Sequence, residues 1–176
     1  MLKRVKNKIN HIVDIEKLKK KGLTVGKDVS IGSGCRIDSS FSFLIDIGDR
    51  VTLAPNVLVF AHDTSTKQMT GFTKMGKVTI GSDVYIGPGS ILLPGTDIGN
   101  NVIVKAGTVI EEKIPENSVV SGNPAKIIST YDEYKEKAEK EISKSRPIAG
   151  KTAHYLKDVE KKLIKQRIGD KGSYIK

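Results

Sequence analysis

Residues 80–115 read "IGSDVYIGPGSILLPGTDIGNNVIVKAGTVIEEKIP", and divided into sixes they are led by Ile80, Ile86, Leu92, Ile98, Val104 and Ile110. An aliphatic residue returning every six positions marks a repeat architecture. Four positions after each leader stands a small or β-branched residue: Val84, Ser90, Thr96, Val102, Thr108 and Ile114. With the next leader two positions on, this is the alternation of a short strand that turns one face inward. Three positions after a leader come Asp83, Gly89, Gly95, Asn101 and Gly107. These types tolerate a left-handed backbone, so a corner is expected in each repeat. Strand and corner alternating without helices predict a parallel β-solenoid, whose repeats build a core only by stacking.

The same columns run upstream. Val25, Ile31 and Ile37 lead one block and Ile47, Leu53 and Val59 another, with Val29, Cys35, Val51 and Val57 in the inward column and Asp28, Gly34 and Asn56 at corners. The beat slips in "SSFSFLIDIGD" (residues 39–49) and is lost after His62, in "DTSTKQMTGFTKMGK" (residues 63–77). A solenoid tolerates insertions where they leave at a corner, and long loops on rigid scaffolds are disproportionately functional. Loop 63–77 and the histidine at its root therefore mark a candidate site.

Composition narrows the classes. A chain of 176 residues is the size of one ordinary domain. Its one cysteine, Cys35, excludes an intramolecular disulfide framework and a multi-cysteine metal site, and its inward column reads as core. Lys+Arg against Asp+Glu is 8 to 2 over residues 1–24, 9 to 10 over 25–128 and 13 to 8 over 129–176. The net charge of +10 thus belongs to the ends. A neutral middle without basic and aromatic interleaving argues against nucleic acid, while the basic ends fit solvated helix faces or peripheral contact with an anionic membrane. No apolar run has membrane-spanning length and the N-terminus lacks a signal-peptide core, so a soluble, cytoplasmic chain is expected. The expected organisation is a basic, partly helical cap at 1–22, the solenoid at 23–128 and a charged helical extension at 129–176. In that extension "STYDEYKEKAEKEISKS" (129–145) and "KTAHYLKDVEKKLIKQR" (151–167) read as helices. His11 and His154 lie in the ends without motif context.

The hexapeptide columns, the run "LLPGTDIGNNVIVKAGTVI", Ile114–Pro115 and "GNPAKII" (122–128) resemble the left-handed parallel β-helix acyltransferases, in their acetyl-CoA-dependent branch. The resemblance covers about residues 23–128. It implies three hexapeptides per triangular coil, a homotrimer with active sites between subunits, and a loop reaching across a neighbour. "TLAPNVLVFAHD" resembles the stretch bearing the family's catalytic histidine, which places that role on His62. The chemistry asks for a base to take a hydroxyl proton, and a neutral imidazole suits this near pH 7. Asp46, about one coil earlier, and Asp63, adjacent in sequence, are candidates for orienting it or binding substrate; the family's partner position falls within 39–49. For coenzyme A the resemblance points to Tyr85, Gly87, Pro88, Ala106 and Lys126, the last as a cation for phosphates. No metal is expected, since a catalytic zinc normally needs three protein ligands and the repeat offers one histidine.

The implied activity is acetyl-CoA-dependent O-acetylation of a sugar hydroxyl in bacterial surface polysaccharide synthesis, by direct transfer. The sugar step rests on the similarity of residues 61–81 to exopolysaccharide and capsule members. Two alternatives stay open at this stage: N-acetylation of an amino sugar or small molecule, and a β-helix scaffold without chemistry.

Overall fold

Short strands follow from the six-residue beat, because only two or three residues lie between one corner and the next. A computed structural model describes residues 13–145, 157–168 and 174. The chain forms two compact units, Met1–Tyr131 and Asp132–Lys176.

In the first unit, β1 (Thr24–Val25), β2 (Ser30–Ile31) and β3 (Arg36–Ile37) begin three separate sheets. Later strands join them in strict rotation. Sheet one takes β4 (Ile45–Ile47), β9 (Val78–Ile80), β12 (Asp97–Ile98) and β15 (Lys113–Ile114). Sheet two takes β5 (Thr52–Leu53), β10 (Tyr85–Ile86), β13 (Ile103–Val104) and β16 (Ser118–Ser121), and sheet three takes β6 (Leu58–Val59), β11 (Ile91–Leu92) and β14 (Val109–Ile110). All of these pairings are parallel, so the chain winds in coils of three strands.

Register measures each coil. Tyr85 pairs with Ile103, 18 residues on, as do Ser82 and Asn100 at a corner. Between Ser30 and Thr52 the step is 22, and between Thr52 and Tyr85 it is 33. The first excess is the irregular stretch, folded as a 3-10 turn at Ser42–Leu44. The second is loop 63–77, an antiparallel hairpin of β7 (His62–Asp63) and β8 (Lys74–Met75) with a helical turn, Lys67–Thr70, at its tip.

Leaders and inward residues fill the coils: Ile45, Leu53, Val57, Val59, Ile86, Leu92, Val104 and Ile110 are wholly buried. Hydroxyls in the inward column stay there by bonding to carbonyls, as Thr96 Oγ1 does to Ile110 O at 2.8 Å. Cys35 is buried core, with Sγ 3.1 Å from Ala54 O. All eight expected corner residues have positive φ, and so do Arg50 and Asn117 at the equivalent places. Helix α1 (Ile15–Lys19) adds Leu18 to the core.

The six-residue pattern did not announce how the coils end. After β16 the chain reverses, and β17 (Lys126–Thr130) pairs antiparallel with it. From Tyr131 onward α2 (Tyr131–Ser145) falls within the stretch read as a helix, and in the second unit α3 (Asp158–Arg167) falls within the next. No described helix is long and apolar enough to cross a membrane. His11 and His154 lie outside the described residues.

Candidate active site

His62 leaves the coil at the corner after β6, where the hairpin departs. Its Nδ1 meets Oδ2 of Asp38, whose side chain is 2% exposed. Three backbone N–H groups also donate to that carboxylate: Ser40 at 3.0 Å and Phe41 at 3.2 Å to Oδ1, and Ala61 at 3.2 Å to Oδ2. Burial pushes the Asp38 carboxyl up, but the imidazole and these N–H groups outweigh it and hold it below its ordinary 3.8. A carboxylate at Nδ1 keeps the ring proton there and leaves the Nε2 lone pair able to accept a proton. Phe41 packs on the imidazole with ring centroids 4.7 Å apart.

This corrects the expected partners. Asp46 lies on another face and pairs with Lys77 at 2.8 Å, which with burial opposing it holds the Asp46 carboxyl low. Asp63 turns into the hairpin, accepting from Ser65 N at 2.8 Å and Ser65 Oγ at 3.0 Å. The hydrogen bond described at Nδ1 goes to Asp38 and to neither of these. The expected stretch 39–49 holds no partner carboxylate either; it supplies N–H groups to Asp38, one residue before it. The signal was present in part: Asp38 follows leader Ile37 in a column held by Gly26, Gly32, Gly48 and Ala54 in neighbouring repeats. The 22-residue step pairs Ile37 with Val59 and so sets Asp38 beside Phe60, within reach of His62, where counting 18 residues points elsewhere.

A groove of about 980 Å³ opens at this pair. It runs beside β3, the edge strand of sheet three, with α1 on its other wall, from His62, Asp38 and Phe60 to Ser33, Gly34 and Asn56 at the preceding corner.

The expected coenzyme residues gather on a different edge. Gly87, Pro88 and Ala106 stack at the corner between sheets two and three, where Gly107 N donates to Pro88 O at 2.9 Å. A Cβ on Gly87 would stand 2.5 Å from Ala106 N, whereas Gly89 and Gly107 face open space. Tyr85 is exposed on the outer face of sheet two, and Lys126 is exposed at the start of β17. One whole face of the coil, six residues or at most about 20 Å, separates this corner from the His62 corner.

The bacterial transferase hexapeptide (six repeats) family model matches residues 77–112. YvoF of Bacillus subtilis (strain 168) is 33% identical over 118 residues, which make up 67% of this chain and 66% of that one, just under two thirds of the relative. Galactoside O-acetyltransferase of Escherichia coli (strain K12) is 30% identical over 144 residues, covering 68% of this chain and 71% of that enzyme. A solved structure of a maltose O-acetyltransferase from Clostridium difficile 630 superposes with TM-score 0.54 at 28% identity, covering 69% of this chain and 80% of that chain.

Proposed function

The chain belongs to the hexapeptide-repeat acyltransferase family, and we propose that it is an acetyl-CoA-dependent O-acetyltransferase of a sugar hydroxyl, its coils wound left-handed as the family implies. The observation that carries this reading is the His62 imidazole, held through Nδ1 by buried Asp38 at the mouth of a groove. Nε2 takes the hydroxyl proton as the oxygen attacks the thioester carbonyl carbon. The C–S bond then breaks, and the imidazolium returns the proton to the leaving thiolate, so no acyl-enzyme forms and His62 ends as it began. Sugar acceptors are supported by the galactoside and maltose enzymes to which the chain is similar. Surface polysaccharide as the destination rests on the sequence around the hairpin.

Tyr85, Gly87, Pro88, Ala106 and Lys126 would hold the coenzyme, its extended arm lying along the open corner beside Gly89 and Gly107. Because that corner lies a full face away from His62, the reading includes a homotrimer in which the corner of one copy meets the histidine of the next. Asp46 acts here through Lys77 as a tie at the foot of the hairpin, and Asp63 shapes its first turn.

The test is thiol release from acetyl-CoA with a panel of sugars, comparing the native protein with His62→Ala, alongside direct coenzyme binding by both. Turnover lost in the variant with binding retained is expected. A native protein that does not bind the coenzyme would overturn the transferase reading in favour of a scaffold, and acceptance of amines over hydroxyls would move it to N-acetylation.

A further inference from the structure

The groove beside β3 gathers cations from two parts of the chain, Lys17 and Lys21 of the basic N-terminal stretch and Arg36 of the neutral middle. Arg36 from β3, Lys17 from α1 and Lys21 just past that helix line it along with His62. Its two carboxylates are already engaged. Asp38 is bound to the imidazole and three N–H groups, and Asp14 caps α1 by accepting from Lys17 N at 3.0 Å. Lys21 Nζ donates to Ser39 O at 3.0 Å, which draws the ammonium over the groove next to Asp38 without neutralising it. Among the described residues neither Arg36 nor the Lys17 ammonium has an ion-pair partner.

Spacing links these cations to the chemistry. Arg36 and Asp38 lie two residues apart on one extended segment, about 7 Å between Cα atoms. A pyranose ring set against His62 would therefore carry a substituent on its far side within reach of the Arg36 guanidinium. That guanidinium is a planar fork suited to two oxygens of one phosphate or carboxylate, and neighbouring lysines add charge without that geometry. A groove that continues to Ser33 and Asn56 has room for more than one sugar unit.

We propose that the acceptor of this site is an anionic glycan, bearing beside its acetylated ring a phosphate or carboxylate that Arg36 binds with Lys17 and Lys21. This deepens the O-acetyltransferase reading and rests on it for the acetylated hydroxyl alone. The anionic group has two sources, the diphosphate of a nucleotide-activated sugar and the carboxylate of a uronic acid unit.

The experiment compares kcat/KM for matched acceptors: a neutral hexose, its 1-phosphate, its nucleoside-diphosphate form and the corresponding uronic acid. Native protein, Arg36→Gln and Lys17→Gln/Lys21→Gln are assayed, with Lys27→Gln as a charge-loss control outside the groove. The anionic-to-neutral ratio is expected to be at least about 10-fold in the native protein and to fall about 10-fold in Arg36→Gln, corresponding to the loss of one charge-assisted pair. It should fall less in the lysine variant and stay at the native value in Lys27→Gln. Preference for the phosphate arms names an activated sugar, and preference for the uronate names a polymer unit. In parallel, uridine diphosphate and glucuronate are titrated by calorimetry into native and Arg36→Gln protein without acetyl-CoA. At least one should bind the native protein and weaken in the variant. Equal ratios in all proteins, or binding of neither probe, overturns the proposal. Probe binding without acetyl transfer to any acceptor overturns the transferase reading and leaves the anion site standing.

Discussion

A carboxylate at Nδ1 leaves His62 a single lone pair, on Nε2, and so makes the direction of proton transfer a matter of geometry. Asp38→Asn keeps the shape but offers an amide in place of the charge. Turnover should fall by up to about 10⁴-fold with coenzyme binding retained, because an amide at Nδ1 can hold the ring in the wrong tautomer. Because the folded-state Asp38 carboxyl titrates below its ordinary 3.8, its contribution to stability is fully present above that value and is lost as pH falls through the lower folded one. Denaturant unfolding from pH 5 to pH 2 should show that limb in the native protein and a shallower one in Asp38→Asn. The Arg50–Asp83 pair, bonded at 2.7 Å through two nitrogens, is half exposed and should matter little by comparison.

At the scale of elements, the coil and the hairpin carry separate duties. Gly87 and Gly89 stand two residues apart in one corner but for different reasons: a Cβ on the first meets the backbone of the coil above, and the second needs its φ of 71°. Gly87→Ala should cost about 1–3 kcal/mol by overpacking, and Gly89→Ala about 1–2 kcal/mol through its left-handed backbone alone. Denaturant midpoints check both, and only the first should disturb the next coil. The hairpin exposes Met69, Phe72 and Met75, and its only described sheet partner strand is its own other arm. Replacing residues 64–73 by a two-residue turn should leave the melting temperature within a few degrees and abolish acetyl transfer, since the coils close beneath it through Gly76 N and Ala61 O at 3.0 Å.

On the scale of the molecule, the corner proposed for the coenzyme and the His62 corner face different directions in one chain. If copies complete each other, two differently damaged chains should rescue one another. Co-expression of His62→Ala with Ala106→Trp should restore about a quarter of native activity by random mixing in a cyclic trimer, although each variant alone is dead. No restoration would place both halves of the site in one chain. Sedimentation of the native protein should give three times the chain mass.

The local terms were legible in the residues. Each hexapeptide buries its leader within its own coil and turns at a residue that accepts a left-handed backbone, so strand, corner and stacking could be read from Ile80 to Pro115 without any distant contact. His62 stood out as a candidate because the insertion after it breaks that pattern. What only the tertiary structure decided is what one coil presents to another. Asp38 displaced Asp46 and Asp63 as the imidazole's partner because four surplus residues in the first coil set it beside Phe60, within reach of His62, and a period cannot count an irregular stretch. The reversal at β17 and the cationic groove depend likewise on where chain that lacks the repeat comes to rest. The sequence by itself determined the coil, since an unbroken six-residue beat brings like positions together around each coil and onto the next; the fold in space chose the acid, the groove and its charge, since those forces act between residues that the insertions had moved out of step.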